Sequence, residues 1–342
     1  MQKNKNVDRS NLRRVILSSA DQFAEGFALG KGVVIKNDFS AVMISGMGGS
    51  AWPANVLRIY INSLFNRHKE YKRLAVYQNR FYKLPPEAYN DCLNIICSHS
   101  GNTEETIASF GEVLKNKLPC IGISAGGTLE KMCKKHGVPH IKLPMPYADF
   151  QPRMATGYFI SVLVQLLVNA GKLPKEAVLV DTAVQKLHDE IVKIEQNGKK
   201  IAKRLVGKTP VIYASTKFKA LAMIWKIKIN ENSKVPAFWN YFPELNHNEF
   251  VGFTNPQAQF YILMLRDKKD HPRNLLRYDV TARFLKKKGV KSEIIDIPEG
   301  DTLYRIFATI ALGDWISYYL ALAYGQDPTP VDMVEDLKKA LG

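Results

Sequence analysis

Between residues 41 and 144 short apolar runs alternate with stretches of helical spacing, and few folds accommodate that rhythm. AVMISG (41–46), RLAVYQN (73–79), LNIICSH (93–99), PCIGISA (119–125) and PHIKLP (139–144) read as strands. Helical spacing fills 50–64, 103–117 and 127–136 between them. Strands separated by helices of ten to fifteen residues predict a parallel sheet covered on both faces. The pattern then repeats. A polar helical stretch, 181–206, leads to PVIYAS (210–215), a helix over 217–232, QFYILMLRD (259–267), a basic helix over 272–288 and KSEIIDIP (291–298). Helices over 301–323 and 331–341 close the chain, and 154–170, apolar nearly all round, predicts a buried or interface helix. The fold class is therefore α/β, with two units in tandem over residues 1–170 and 171–342.

Composition narrows the classes of function. The chain is 46% apolar and 23% charged, as a soluble globular protein is. No apolar run reads as long enough to span a membrane, since 154–170 is broken by Gly157, Ser161, Gln165 and Asn169. The basic N-terminus is followed by no apolar signal core, so a cytoplasmic location without a membrane partner is expected. Four cysteines without a CxxC pair predict a reduced compartment, with Cys97 and Cys120 as small core residues. The net charge of +16 invites a nucleic-acid partner. Its lysines and arginines are dispersed, however, and no aromatic residues interleave with them to form a stacking surface, so no nucleic-acid partner is expected. Such a field equally attracts small phosphorylated anions.

Two strand–helix junctions suit an anion. Gly46-Met47-Gly48-Gly49-Ser50 lets the backbone approach a ligand, and free N–H groups at a helix start attract negative charge. It is neither GxGxxG nor a P-loop, and an ordinary tight turn reads the same way. Ser98-His99-Ser100-Gly101-Asn102-Thr103 places three hydroxyls around a glycine at a second helix start, fitted to the several acceptor oxygens of a phosphate. A capping box using Glu104 or Glu105 is the plainer alternative. Both turns fall at the carboxyl edge of one sheet, where open α/β folds bind ligands.

In the second unit, Ala220, Ile224, Ile227 and Glu231 share one helix face. A carboxylate thus ends an apolar row at the helix C-terminus, where burial and the negative end of the dipole both oppose the charged form, as a general base needs near neutral pH. A solvated glutamate between Asn230 and Asn232 is the alternative. His247, sixteen residues on, lies in the asparagine-rich turn Pro243-Glu244-Leu245-Asn246-His247-Asn248-Glu249, a better place for proton exchange than a core stripe.

The paired turns, with S-x-S-G-x-T in the second, resemble those of the sugar isomerase (SIS) domain family. The run E-N-x-K-x-P-A-F…P-E-x-x-H-N-E from Glu231, together with Gln151-Pro152-Arg153, resembles the signature of bifunctional phosphoglucose/phosphomannose isomerases over most of residues 36–342. That resemblance implies tandem SIS-type, flavodoxin-like α/β/α sandwiches. It also implies conversion of glucose 6-phosphate or mannose 6-phosphate to fructose 6-phosphate through a cis-enediol, without cofactor or metal. On it, Glu231 shuttles the proton between C2 and C1, and His247, from the neighbouring subunit of a homodimer, assists ring opening. Arg153 stabilises the enediolate, and Gly49, Ser50, Ser98, Ser100 and Thr103 hold the phosphate. A family lysine near the C-terminus falls on Lys338 or Lys339, with Lys338 favoured by its distance from the end. His99 and Trp52 depart from the pattern and bear on substrate choice.

Three other functions fit less well. A zinc-dependent phosphomannose isomerase needs clustered ligands, whereas the seven histidines are scattered. A non-catalytic SIS-type sugar-phosphate regulator needs a helix-turn-helix module, for which the residues before the first strand leave little room. An amidotransferase needs an N-terminal cysteine domain.

Overall fold

The computed structural model describes residues 7–35, 38–69 and 74–341. Part of the basic run 67–73, and Arg73 at the head of the second expected strand, lie outside the described residues. The helices are α1 (Leu12–Leu17), α2 (Asp21–Gly30), α3 (Gly48–Ala51), α4 (Pro53–Arg67), α5 (Glu104–Lys115), α6 (Gly127–His136), α7 (Thr156–Asn169), α8 (Asp181–Leu205), α9 (Lys219–Ser233), α10 (Pro272–Lys287), α11 (Thr302–Ala323) and α12 (Asp332–Leu341). The strands are β1 (Ala41–Ser45), β2 (Ala75–Asn79), β3 (Cys92–Cys97), β4 (Cys120–Ser124), β5 (His140–Lys142), β6 (Thr209–Ser215), β7 (Phe238–Phe242), β8 (Phe260–Arg266) and β9 (Lys291–Asp296).

One compact unit, Ser18–Gln185, holds a parallel sheet in the order β2-β1-β3-β4-β5, the flavodoxin-like order. β1 and β3 are buried along their whole length, which is why they read as continuous apolar runs rather than alternating ones. Met43, Ile96, Phe110, Val113 and Leu129 form its core. Cys92, Cys97 and Cys133 are buried, Cys120 is partly so, and all four are free thiols.

The second unit joins residues up to Leu17 to those from Lys186 onward, and its parallel sheet runs β7-β6-β8-β9. The compact units therefore part near residue 185, against an expected boundary at 170, and the N-terminal segment groups with the later unit. The reason lies in particular bonds. Arg13 grips Glu195 through Nε and NH2 at 2.7 and 2.9 Å, and the Tyr318 hydroxyl donates to Asp8 at 3.1 Å. Charged and hydroxyl partners so far apart in sequence leave no periodic trace.

Two further expectations change. β7 is absent from the sequence reading because Pro236 and Pro243 bracket it, and proline usually marks the end of a strand. It is an edge strand with an exposed Phe238, paired only to β6 in its sheet, so it needs no apolar alternation. α11 does have the length and hydropathy to cross a membrane, contrary to the expectation from sequence, yet 78% of that window is buried. Its two charges, Arg305 and Asp314, are both enclosed and ion-paired, so α11 is a core helix.

Candidate functional site

The two hydroxyl turns of the first unit are tied together. β1 delivers Gly46, Met47 adopts extended backbone as N-cap of α3, and Ser50 is buried with its Oγ accepting the His99 N–H at 3.0 Å. Ser98 is fully buried. Its Oγ accepts the N–H groups of Gly101 and Thr103 at 3.0 and 3.4 Å and shares a hydrogen bond with Thr103 Oγ1 at 2.9 Å. Ser98 and Ser50 therefore shape the turns, while Ser100 is exposed and Thr103, half-buried, turns its hydroxyl to Ser98. Thr103 is the N-cap of α5, but its hydroxyl makes no bond to the helix backbone. The capping-box alternative is thereby not realised. The first turns of α3 and α5 lack side-chain caps, a setting that favours an anion.

Glycine is required here by close approach. A Cβ at Gly49 would lie 2.5 Å from the Pro152 carbonyl carbon and 2.6 Å from the Arg153 nitrogen. Gly101 has φ +71°, and a Cβ there would come within 1.8 Å of the Gly126 carbonyl oxygen. The first contact seats the short turn Pro152–Met154 against the glycine turn, so Arg153 joins the same edge. Arg153 is 1% exposed, and its guanidinium donates to Gln151 Oε1 at 3.1 Å. His99 packs its ring on Phe150, centroids 5.5 Å apart, and burial pushes its imidazole down to about 4, keeping it neutral at ordinary pH. Trp52 is fully buried, and its indole N–H donates to Thr156 Oγ1 at 3.0 Å. It is a core wedge, so any effect on substrate choice passes through packing. In this unit the predicted Gly49, Ser50, Ser98, Ser100, Thr103 and Arg153 come together.

The predicted Glu231, His247 and Lys338 belong to the other unit. Glu231 is half-buried on the last turn of α9, whose end is held firmly. Asn232 Nδ2 donates to Ser317 Oγ at 2.9 Å, and the Ser233 hydroxyl donates to the Ser317 carbonyl at 2.7 Å. Lys234, left-handed at φ +57°, folds its ammonium back onto the carbonyls of Glu231, Asn232 and Asp327 at 2.9, 3.2 and 2.7 Å. This closes the helix as a cationic C-cap. One turn earlier, Lys228 Nζ lies 2.6 Å from Asp314 Oδ1, with both side chains enclosed. Sequence reasoning missed this pair, although half of its signal was present: one anion, Asp314, inside the apolar α11.

His247 is exposed at the end of the short turn Glu244–His247 that follows β7. The turn is anchored by buried Leu245, by Asn246 donating to Thr281 Oγ1 at 3.0 Å, and by Glu249, which accepts bonds from the Tyr213 hydroxyl and from Asn240. The bracketing asparagines thus build the turn that displays the histidine. Lys338 lies on α12, none of whose residues is buried, and pairs with Glu335 at 2.6 Å; Lys339 pairs with Asp336 at 3.4 Å. A cleft of about 210 Å³ opens at the carboxyl ends of β8 and β9 beside α8 and α11, and none of the predicted residues lines it. Among the described residues no three His, Cys, Asp or Glu side chains gather as metal ligands.

Two parallel α/β units, one with hydroxyl-lined turns and open helix starts at its carboxyl edge, define a tandem SIS-type protein. The chain belongs to the bifunctional phosphoglucose/phosphomannose isomerase family. Residues 194–341 match the family described as bacterial phospho-glucose isomerase C-terminal SIS domain. The chain is 35% identical, over 94% of its length and 96% of the relative's, to a bifunctional phosphoglucose/phosphomannose isomerase from Caldicellulosiruptor bescii. It is 32% identical to a D-glucosamine-6-phosphate 4-epimerase from Sulfolobus acidocaldarius, over 64% of this chain and 65% of that one. Among solved structures it resembles the C-terminal domain of glucosamine-fructose-6-phosphate aminotransferase from Francisella tularensis, with TM-score 0.68 and 12% identity over 94% and 98% of the two chains. It is accordingly a phosphosugar isomerase by family.

Proposed function

We propose that the chain interconverts glucose 6-phosphate, mannose 6-phosphate or both with fructose 6-phosphate, through a cis-enediol and without a metal. The observation that carries this reading is the bond from His99 N–H to Ser50 Oγ, which joins two hydroxyl turns into one anion-receiving edge in a chain of this family. The phosphate rests on the exposed hydroxyl of Ser100, with Thr103 beside it exchanging its bond to Ser98 for one to the phosphate, and on the helix starts that no side chain caps. Ser50 and Ser98 hold those groups in place. Gly49 lets the turn close on the Arg153 segment, so a fixed and enclosed guanidinium stabilises negative charge developing on the enediolate.

Glu231 removes the proton from C2 and returns it to C1. Its helix end is pinned by Asn232, Ser233 and Lys234, so the carboxylate is positioned before substrate arrives. His247, on its rigid exposed turn, assists ring opening from the partner protomer of a homodimer, and Lys338 completes the sugar contacts. A cytoplasmic location belongs to the same reading.

A second reading has one specific support, the partial likeness to an amino-sugar 4-epimerase. The two separate cleanly. Fructose 6-phosphate formation is followed from glucose 6-phosphate and mannose 6-phosphate, beside C4 inversion of glucosamine 6-phosphate. Turnover of glucose 6-phosphate or mannose 6-phosphate supports the isomerase; epimerisation alone overturns it.

A further inference from the structure

The two sheets share an order, so their turns can be matched. β6 stands where β1 stands, with β7 and β8 on its two sides as β2 and β3 are on those of β1. The phosphate-type turn after β3 begins at Ser98, and its counterpart after β8 begins at Asp267. The turn after β1 carries the glycine run, and its counterpart after β6 carries Lys217.

Asp267 is 1% exposed. Its Oδ1 accepts the Lys269 N–H at 2.9 Å and Arg305 NH2 at 2.6 Å, and its Oδ2 accepts Lys217 Nζ at 2.9 Å. The backbone bond parallels Ser98, whose Oγ accepts the Gly101 N–H within its own turn. To that backbone bond the second edge adds two cations, Lys217 and Arg305. They are a pair of converging positive groups, both lying over the Phe218 ring at 5.0 and 5.1 Å. Arg305 is further fixed by donating Nε to the Pro298 carbonyl at 3.1 Å. A backbone N–H, an ammonium and a guanidinium aimed at one buried point make the donor set of an oxyanion site. Burial opposes the charge on Asp267, but the bonds from Lys217 and Lys269 and the nearby Arg305 outweigh it, so the carboxyl stays ionised to lower pH than usual.

We infer that the carboxyl edge of the second sheet is a phosphate-type anion site occupied by the chain's own Asp267 carboxylate. The second unit therefore takes no sugar phosphate at this edge, and removing the carboxylate opens it. Two cations then face each other without a counter-charge, and an external dianion is the natural replacement.

The test is Asp267→Ser, which installs the residue type of the matching position, Ser98. The full-length variant and the wild type are melted against inorganic phosphate, with chloride at matched ionic strength as control. The variant should melt below wild type without phosphate. It should then gain about 3–6 °C more than wild type does at phosphate tenfold above its dissociation constant. Titration should count one more phosphate per chain than in wild type. Adding Lys217→Met should abolish the excess. The readout is the difference from wild type, so it stands whether or not the first unit binds phosphate. If Asp267→Ser is recovered unfolded, its refolding yield against phosphate replaces the melt. An equal phosphate response in variant and wild type, or a misfolded variant that phosphate does not restore, overturns the inference.

Discussion

Lys228→Met breaks the enclosed ion pair beneath Glu231 while keeping a side chain of similar length. Lys228 and Asp314 are 1% and 5% exposed, with Nζ 2.6 Å from Oδ1, so neither charge can turn to water when the other is removed. Stranding one partner of such a pair costs about 3–5 kcal/mol. At about 2–4 °C per kcal/mol for a unit of this size, the melting temperature should fall by roughly 6–20 °C. Replacing both partners removes the stranded charge, so Lys228→Met with Asp314→Leu should recover most of that loss. Calorimetry or circular dichroism melts at pH 7 on the wild type, the two singles and the double complete the cycle. A single Lys228→Met that melts within about 2 °C of wild type, or a double no better than the worse single, refutes the reasoning.

Other consequences follow from the same geometry. His99 titrates near 4 in the folded chain against an ordinary 6.5, so between those values the unfolded state binds more protons and stability rises with pH. That stabilisation is complete above pH 6.5 and is lost as pH falls through 4; in denaturant titrations His99→Phe should flatten the slope by about 3 kcal/mol over this window. Gly101→Ala forces a left-handed residue with its Cβ against the Gly126 carbonyl, and should cost about 2–5 kcal/mol by denaturant titration and weaken inhibition by phosphate. Asn232→Ala loosens the end of α9 and should lower kcat more than it raises KM, a split that steady-state kinetics reads directly.

What the sequence made legible divides along physical lines. Eight of the nine strands among the described residues show in the sequence, β1 and β3 most plainly because the parallel sheet buries both their faces, while β7 hides between two prolines at an edge. The hydroxyl turns were readable because glycine and serine are needed at fixed offsets. Their division of labour was not. Ser98 and Ser50 are consumed inside the turns, and Thr103 gives its hydroxyl to Ser98 instead of capping α5, choices that depend on distances between two loops. The row leading to Glu231 was partly right: Ala220 and Ile224 are buried, but the deeper face of α9 runs through Trp225, Lys228 and Asn232. A buried lysine and asparagine carry no apolar signal, so periodicity placed the face too far round. Lys338 was placed by distance from the chain end alone, and that criterion carries no information about a helix none of whose residues is buried.

The central claim is that Glu231 moves the proton, and Glu231→Gln tests it with almost no change in shape. Turnover of glucose 6-phosphate and mannose 6-phosphate to fructose 6-phosphate should fall by about 10²–10⁴-fold, with the affinity for fructose 6-phosphate and the melting temperature near those of wild type. A variant that turns over within a few-fold of wild type would contradict the account and remove Glu231 from the chemistry.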